Sequence, residues 1–229
     1  MNYKIINDKD KLIEFIDWLP ELKRNEVFYC CLLARSKYCK DIKHISSDKQ
    51  QVKRFTATKE YLLEKIQQLE CEIGSYTQKH NPIPQEALAL YITPNPRCLE
   101  KATNQTLLKF TRDLVSKQKD FNSLADVMTE IQTACSRKVY LDFDFDGVNV
   151  KDVLEELKHY INLDCVKFLQ TRGGFHMLIE TGKIDKAFSG TWYENILKVK
   201  GVDWQRNRDN MIPIAGCYQG GFTPTFIKA

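Results

Sequence analysis

The chain contains no CxxC pair, no internal repeat and no low-complexity tract. It has no apolar run approaching the roughly 20 residues that a membrane span needs. The opening stretch, Met1–Asp10, is polar and lacks the apolar centre of a secretory signal. These absences exclude a helical membrane protein, a repeat array and a secreted chain, so a cytoplasmic location with no membrane partner is expected. The eight cysteines are scattered and read as free thiols rather than a disulfide framework. Cys30, Cys31, Cys39 and His44 are a possible zinc set. However, Cys30 and Cys31 are adjacent in a segment with a helical look, so their side chains would diverge.

The 229 residues, 43% of them hydrophobic, suffice for one sizeable core or two modules sharing an interface. The net charge of +4 is unevenly spread. Residues 1–120 hold 21 Lys/Arg against 16 Asp/Glu, and residues 121–229 hold 13 against 14. A basic front and an acidic back suit a protein that grips a polyanion with one part and cations with the other.

Helices are expected over Asp8–Trp18, Thr58–Ile73, Gln105–Lys117 and Asn122–Ala134, and a strand over Ala87–Ile92. Beyond Arg137 the order becomes strand Lys138–Phe145, helix Val150–Ile161, strand Val166–Arg172, strand Phe175–Glu180, helix Ala187–Val199 and strand Met211–Tyr218. That β-α-β-β-α-β order predicts an α+β fold: an N-terminal α/β module, 1–134, packed on a ferredoxin-like, RRM-like antiparallel sheet, 135–229.

The segment Val139–Gly147 carries the most chemistry. Strand side chains alternate, so Val139, Leu141, Phe143 and Phe145 are expected inward, with Tyr140, Asp142 and Asp144 on the other face and Asp146 as the next position in that alternation. Adjacent carboxylates repel unless a cation or a proton intervenes. Mg²⁺ and Mn²⁺ accept such oxygens, and two ions together can activate an attacking oxygen and steady a leaving phosphate. A calcium loop is disfavoured because its twelfth position, counted from Asp142, is Val153 rather than Glu. A haloacid-dehalogenase-like phosphotransferase with Asp144 as nucleophile is disfavoured by the antiparallel pattern that follows. A solvated acidic strand face is the structural alternative. In the hairpin Gln170–Ile179, Gly173 and Gly174 leave backbone N–H groups open to an anion, while Arg172 and His176 can reach a triphosphate. Asp203, between a helix and the last strand, is a candidate third metal-binding carboxylate.

The ordered set Leu141-Asp142-Phe143-Asp144, Arg172-Gly173-Gly174-Phe175-His176 and Val202-Asp203 resembles the three motifs of archaeo-eukaryotic primases. Val202–Asn207 also looks like the third motif in polymerase domains of bacterial end-joining ligases. The resemblance spans Val139–Gly221 and implies a template-directed nucleotidyltransferase, a primase–polymerase. Asp142, Asp144 and Asp203 would bind two Mg²⁺ or Mn²⁺ ions, and His176 with Arg172 would hold an NTP or dNTP. The partners would be single-stranded or primed DNA and a helicase or accessory primase subunit. Template phosphates are expected on Arg97, Lys101, Lys53 and Arg54, with Arg35, Lys37, Lys40 and Lys43 as a further basic cluster. Tyr38 and Phe55 are expected either to stack on bases or to lie in the core. Metal-dependent phosphoester hydrolysis and a non-catalytic RRM-like module are the rival readings.

Overall fold

The computed structural model describes residues 1–40, 45, 48–116, 123–203 and 209–227. The elements run α1 (Lys9–Trp18), β1 (Glu26–Ala34), β2 (Gln50–Ala57), α2 (Lys59–Gln67), a small hairpin of β3 (Thr77–Gln78) and β4 (Asn81–Pro82), and β5 (Leu88–Ile92). They continue with β6 (Arg97–Cys98), α3 (Leu99–Val115), α4 (Ser123–Thr133), β7 (Tyr140–Phe145) and α5 (Val150–Leu157). The last are β8 (Val166–Gln170), β9 (Phe175–Glu180), α6 (Trp192–Ile196), β10 (Ile212–Pro213) and β11 (Thr225–Ile227). The fold is α+β, built on two antiparallel sheets.

The first sheet has the order β10-β5-β1-β2, with β6 pairing the start of β1. All nine residues of β1 are buried. Phe28, Cys30, Leu32 and Ala34 pack with Leu12, Phe15, Leu62 and Ile66 of α1 and α2. Val27, Tyr29, Cys31 and Leu33 pack with Ala102 and Ile131 of α3 and α4. Burial on both faces removes the alternation that marks a half-exposed strand. The helical look of Cys30–Cys31 is thereby corrected: they lie in the central strand and point into different cores. Cys39 is half-buried and His44 lies outside the described residues. Among the described residues the cysteines belong to no cluster of three potential ligands.

The second sheet has the order β11-β8-β9-β7. β7 and β8 both run antiparallel to β9, so they are parallel to each other and split by it, with α5 as the crossover. One face carries Phe143, Phe145, Phe168 and Met177 against Val153, Leu157 and Ile196 of α5 and α6. The opposite face sends Leu169 and Leu178 into the core shared with α1 and β1. The expected last strand, Met211–Tyr218, does not join this sheet. Ile212–Pro213 pairs with β5 in the first sheet, and β11 takes the outer edge of β8 instead. The pairing of β10 thus crosses the expected boundary at residue 134. Tyr218 reinforces this placement, donating its N–H to the Ile5 carbonyl at 2.7 Å.

Candidate metal centre

β7 and β9 pair with Asp144 opposite His176 and Asp142 opposite Leu178. Directly opposed residues share a face, and so do residues two apart on one strand. Asp142, Asp144 and His176 therefore lie on the face that Leu178 turns toward the first sheet. The His176 Nδ1 is 2.8 Å from Asp142 Oδ1 and 2.9 Å from Asp144 Oδ1. One potential ligand atom from each residue lies within 4.8 Å of the other two.

Asp142 is 2% exposed, and its Oδ2 is buried without a hydrogen-bond partner. Burial pushes its pKa up; the nearby imidazole pulls it down, and Asp144 pushes it up again. Burial opposes charge on His176, but Asp142 and Asp144 outweigh it and hold the imidazole pKa well above its ordinary value. Nδ1 thus sits between two carboxylates, while one buried oxygen goes unsatisfied. Such an orphaned acceptor beside a second carboxylate and an imidazole fits a divalent cation, which would supply the missing partner.

The three groups line a cleft of about 1280 Å³ between the two sheets. Asp146 lies on the same wall; Tyr91 comes from β5 of the first sheet, and Arg35 and Tyr38 from the chain just after β1. Gly174 closes the β8–β9 turn, where the Thr171 N–H donates to the Gly174 carbonyl at 2.9 Å. A Cβ on Gly174 would stand 2.2 Å from the Phe145 carbonyl oxygen and 2.5 Å from Asp146 Oδ1, so only glycine lets the turn sit against the end of β7. Gly173 faces open space and lines the cleft.

Asp203 comes beside the carboxylates through the backbone. Its N–H donates to the Asp144 carbonyl at 2.8 Å, and Val202 bridges to Phe145. It is not one of the three residues whose ligand atoms cluster. The adjoining Trp204-Gln205-Arg206-Asn207 lies outside the described residues, as does Lys43. Arg172 sits with its guanidinium carbon 4.5 Å from the centre of the Tyr38 ring, and its N–H donates to Gln219 Oε1 at 3.0 Å.

The template contacts expected from sequence are placed differently. Arg97 is 1% exposed, and both its terminal nitrogens donate to Asp209. The Asn95 side chain joins the same carboxylate at 2.9 Å. Arg97 is therefore a buried ion-pair partner in the cleft wall and not a projecting phosphate contact. Arg54 lies against α4, donating to the Ala125 carbonyl and the Thr129 hydroxyl at 3.4 Å each. Lys53 is exposed and outside the cleft lining; Lys101 is also outside it and donates to the Cys135 carbonyl at 3.3 Å. Phe55 packs on the core.

Asn95, Asp209 and Gln219 were not singled out in the sequence reading. The two prolines that flank Asn95 are a local turn signal for the first. Asn95 Oδ1 accepts the N–H groups of Val139 and Tyr140, each at 2.8 Å, and so fixes the start of β7.

Comparisons with protein-family models, with curated proteins and with solved structures found no match to this chain.

Proposed function

We propose that the protein is a metal-dependent nucleotidyltransferase that extends a nucleic-acid strand on a template, a primase–polymerase. The observation that carries this reading is the convergence of Asp142, Asp144 and His176 in an open cleft, with one buried carboxylate oxygen unpartnered. Two carboxylates from one strand, with Asp203 tethered beside Asp144, suit a pair of Mg²⁺ or Mn²⁺ ions. When bound, such ions lower the pKa of an attacking 3′-hydroxyl and offset charge on a leaving pyrophosphate. The protein's own part is to hold the carboxylates in place through the β7–β9 ladder and the Asn95 clamp. Gly173 leaves room for phosphates at the turn, and Arg172 stands near it as a positive group. The split β7-α5-β8 unit with the β8–β9 hairpin supports an RRM-like core, here with its fourth strand on the β8 edge. Partners of this reading are single-stranded or primed DNA, an NTP or dNTP, and a helicase or accessory subunit.

The test is incubation with single-stranded DNA, with and without a primer, labelled NTPs or dNTPs, and Mg²⁺ or Mn²⁺. Labelled product that disappears in Asp142→Ala and Asp144→Ala supports the reading. A shortened template would assign phosphoester hydrolysis to the same triad. Binding with no product in either metal would leave a non-catalytic module.

A further inference from the structure

A sheet edge with unpaired backbone groups is a template for a further strand, and most edges of this protein are blunted. β10 and β11 are two and three residues long, and Pro213 in β10 has no N–H to offer. The outer edge of β7 is taken up at both ends. Asn95 bonds the backbone of Val139 and Tyr140. The Asp203 N–H donates to the Asp144 carbonyl at 2.8 Å, and the Asp146 N–H donates to the Gly201 carbonyl at 3.3 Å.

β2 is the exception. It ends the first sheet, runs for eight residues and pairs with β1 alone. Among the described residues, no backbone group of Gln50–Ala57 is bonded outside that pairing. Beyond a bulge at Leu32/Leu33, Lys53–Ala57 keep regular register with β1. Lys53 and Phe55 share the face that α2 covers, and Arg54 turns to the other face, toward α4. Lys53 is exposed, and Arg54 meets only the Ala125 carbonyl and the Thr129 hydroxyl of α4, at 3.4 Å each. Among the described residues neither forms an ion pair with a carboxylate. An antiparallel two-fold pairing about the midpoint of β2 would set Lys53 and Arg54 against each other across two copies, like charges face to face. The edge thus repels its own copy and attracts a strand of negative charge.

We propose that the β2 edge receives an extended, acidic segment of a partner protein as an added strand of the first sheet. Bonds to the outward N–H and C=O groups of alternate β2 residues supply affinity that is indifferent to sequence. Lys53 and Arg54, one on each face, select two successive acidic residues, because side chains on the added strand alternate in the same way. Phe55, half-buried beside Lys53, selects an apolar residue on that face. Such a contact needs no chemistry in the cleft, so it stands or falls apart from the polymerase reading.

The test selects short random peptides displayed on phage against the full chain and measures the binders, as fluorescein-labelled synthetic peptides, by anisotropy. Binders should carry adjacent Asp or Glu residues in an alternating polar and apolar sequence. In Lys53→Glu/Arg54→Glu their Kd should rise about 10-fold. Peptides with lysine in place of the acidic pair should recover the affinity for that variant, which also shows that it is folded. Lys151→Glu/Lys186→Glu, with the same charge change elsewhere, should bind like the parent. Methylating every second backbone nitrogen of a binder should abolish binding in one register and spare it in the other, because only alternate N–H groups enter a ladder. Binders without acidic residues, binders that ignore the charge swap or tolerate methylation in both registers, or no binders at all would overturn the proposal. So would a labelled oligothymidylate that loses affinity in the double variant while the peptides keep theirs, which would give the edge to nucleic acid. A parent that sediments as a dimer through Lys53 and Arg54 would give it to a second copy and overturn the proposal too.

Discussion

Asp144 and His176 stand directly opposite each other across the β7–β9 ladder, and the same imidazole nitrogen also meets Asp142 two residues along. The register of the β7–β9 ladder thus sets the spacing of all three groups. In the metal-free protein the Asp142 carboxylate is costly, being buried with one oxygen unpartnered. Asp142→Asn should therefore be at least as stable as the parent in a chelator, while losing the response to Mn²⁺. For the parent, Mn²⁺ at about 100 times its Kd should add about 2.7 kcal/mol of stability. Thermal melts with and without Mn²⁺ check both statements. A variant that still gains stability with Mn²⁺ would place the ion elsewhere.

The turn gives a paired test of local geometry. Gly174→Ala forces a Cβ against the Phe145 carbonyl and should cost about 1–3 kcal/mol. Gly173→Ala meets nothing within 4 Å and should cost less than about 1 kcal/mol. Urea unfolding of both proteins decides it; equal losses would mean that the turn does not lie against β7 as described.

Arg97 separates a structural from a surface role. Replacing it with Met leaves Asp209 and Asn95 without their cation in a mostly buried place. The expected loss is about 3–5 kcal/mol. The double variant Arg97→Met/Asp209→Leu should recover much of that, because the stranded charge goes too. A single variant with parental stability would argue that Arg97 is an exposed ligand contact after all.

Glu26 should shape the acid side of the stability curve. Burial raises its pKa, but the Lys23 N–H, the Ser136 hydroxyl and the Arg137 guanidinium more than offset this, and the net shift is downward. A carboxylate with a depressed native pKa stabilises above its unfolded pKa, about 4.3, and loses that contribution as pH falls through the native value. Glu26→Gln should thus cost about 2 kcal/mol at pH 7. The gap between variant and parent should close below about pH 4. Denaturant midpoints across that range measure the gap; a gap constant with pH would rule out the charge as its source.

What was legible in the sequence was what periodicity and short range can carry. The Asp-x-Asp strand shows because Phe143 and Phe145 enter a core while the aspartates turn away from it. The two-glycine turn sets His176 opposite Leu169 of β8, but its place opposite Asp144 comes from the β7–β9 pairing, which no local turn announces. β1 was illegible as a strand because both its faces are buried. β10 and β11, two and three residues long, are shorter than any pattern can reveal. Arg97 was misplaced because its partner lies 112 residues further along the chain. No local signal could announce Asp209, and the charge of an isolated arginine reads the same whether or not it is already matched.

The closing stretch of the chain acts as a suture. Residues 212–213 are laid on the edge of one sheet, Gln219 ties the hairpin turn to Tyr91, and residues 225–227 are laid on the edge of the other. Removing residues 135–229 would strip β5 of a neighbour and take away the acidic wall of the cleft. The cleft therefore exists only while a single thread passes from the back half to the front and returns.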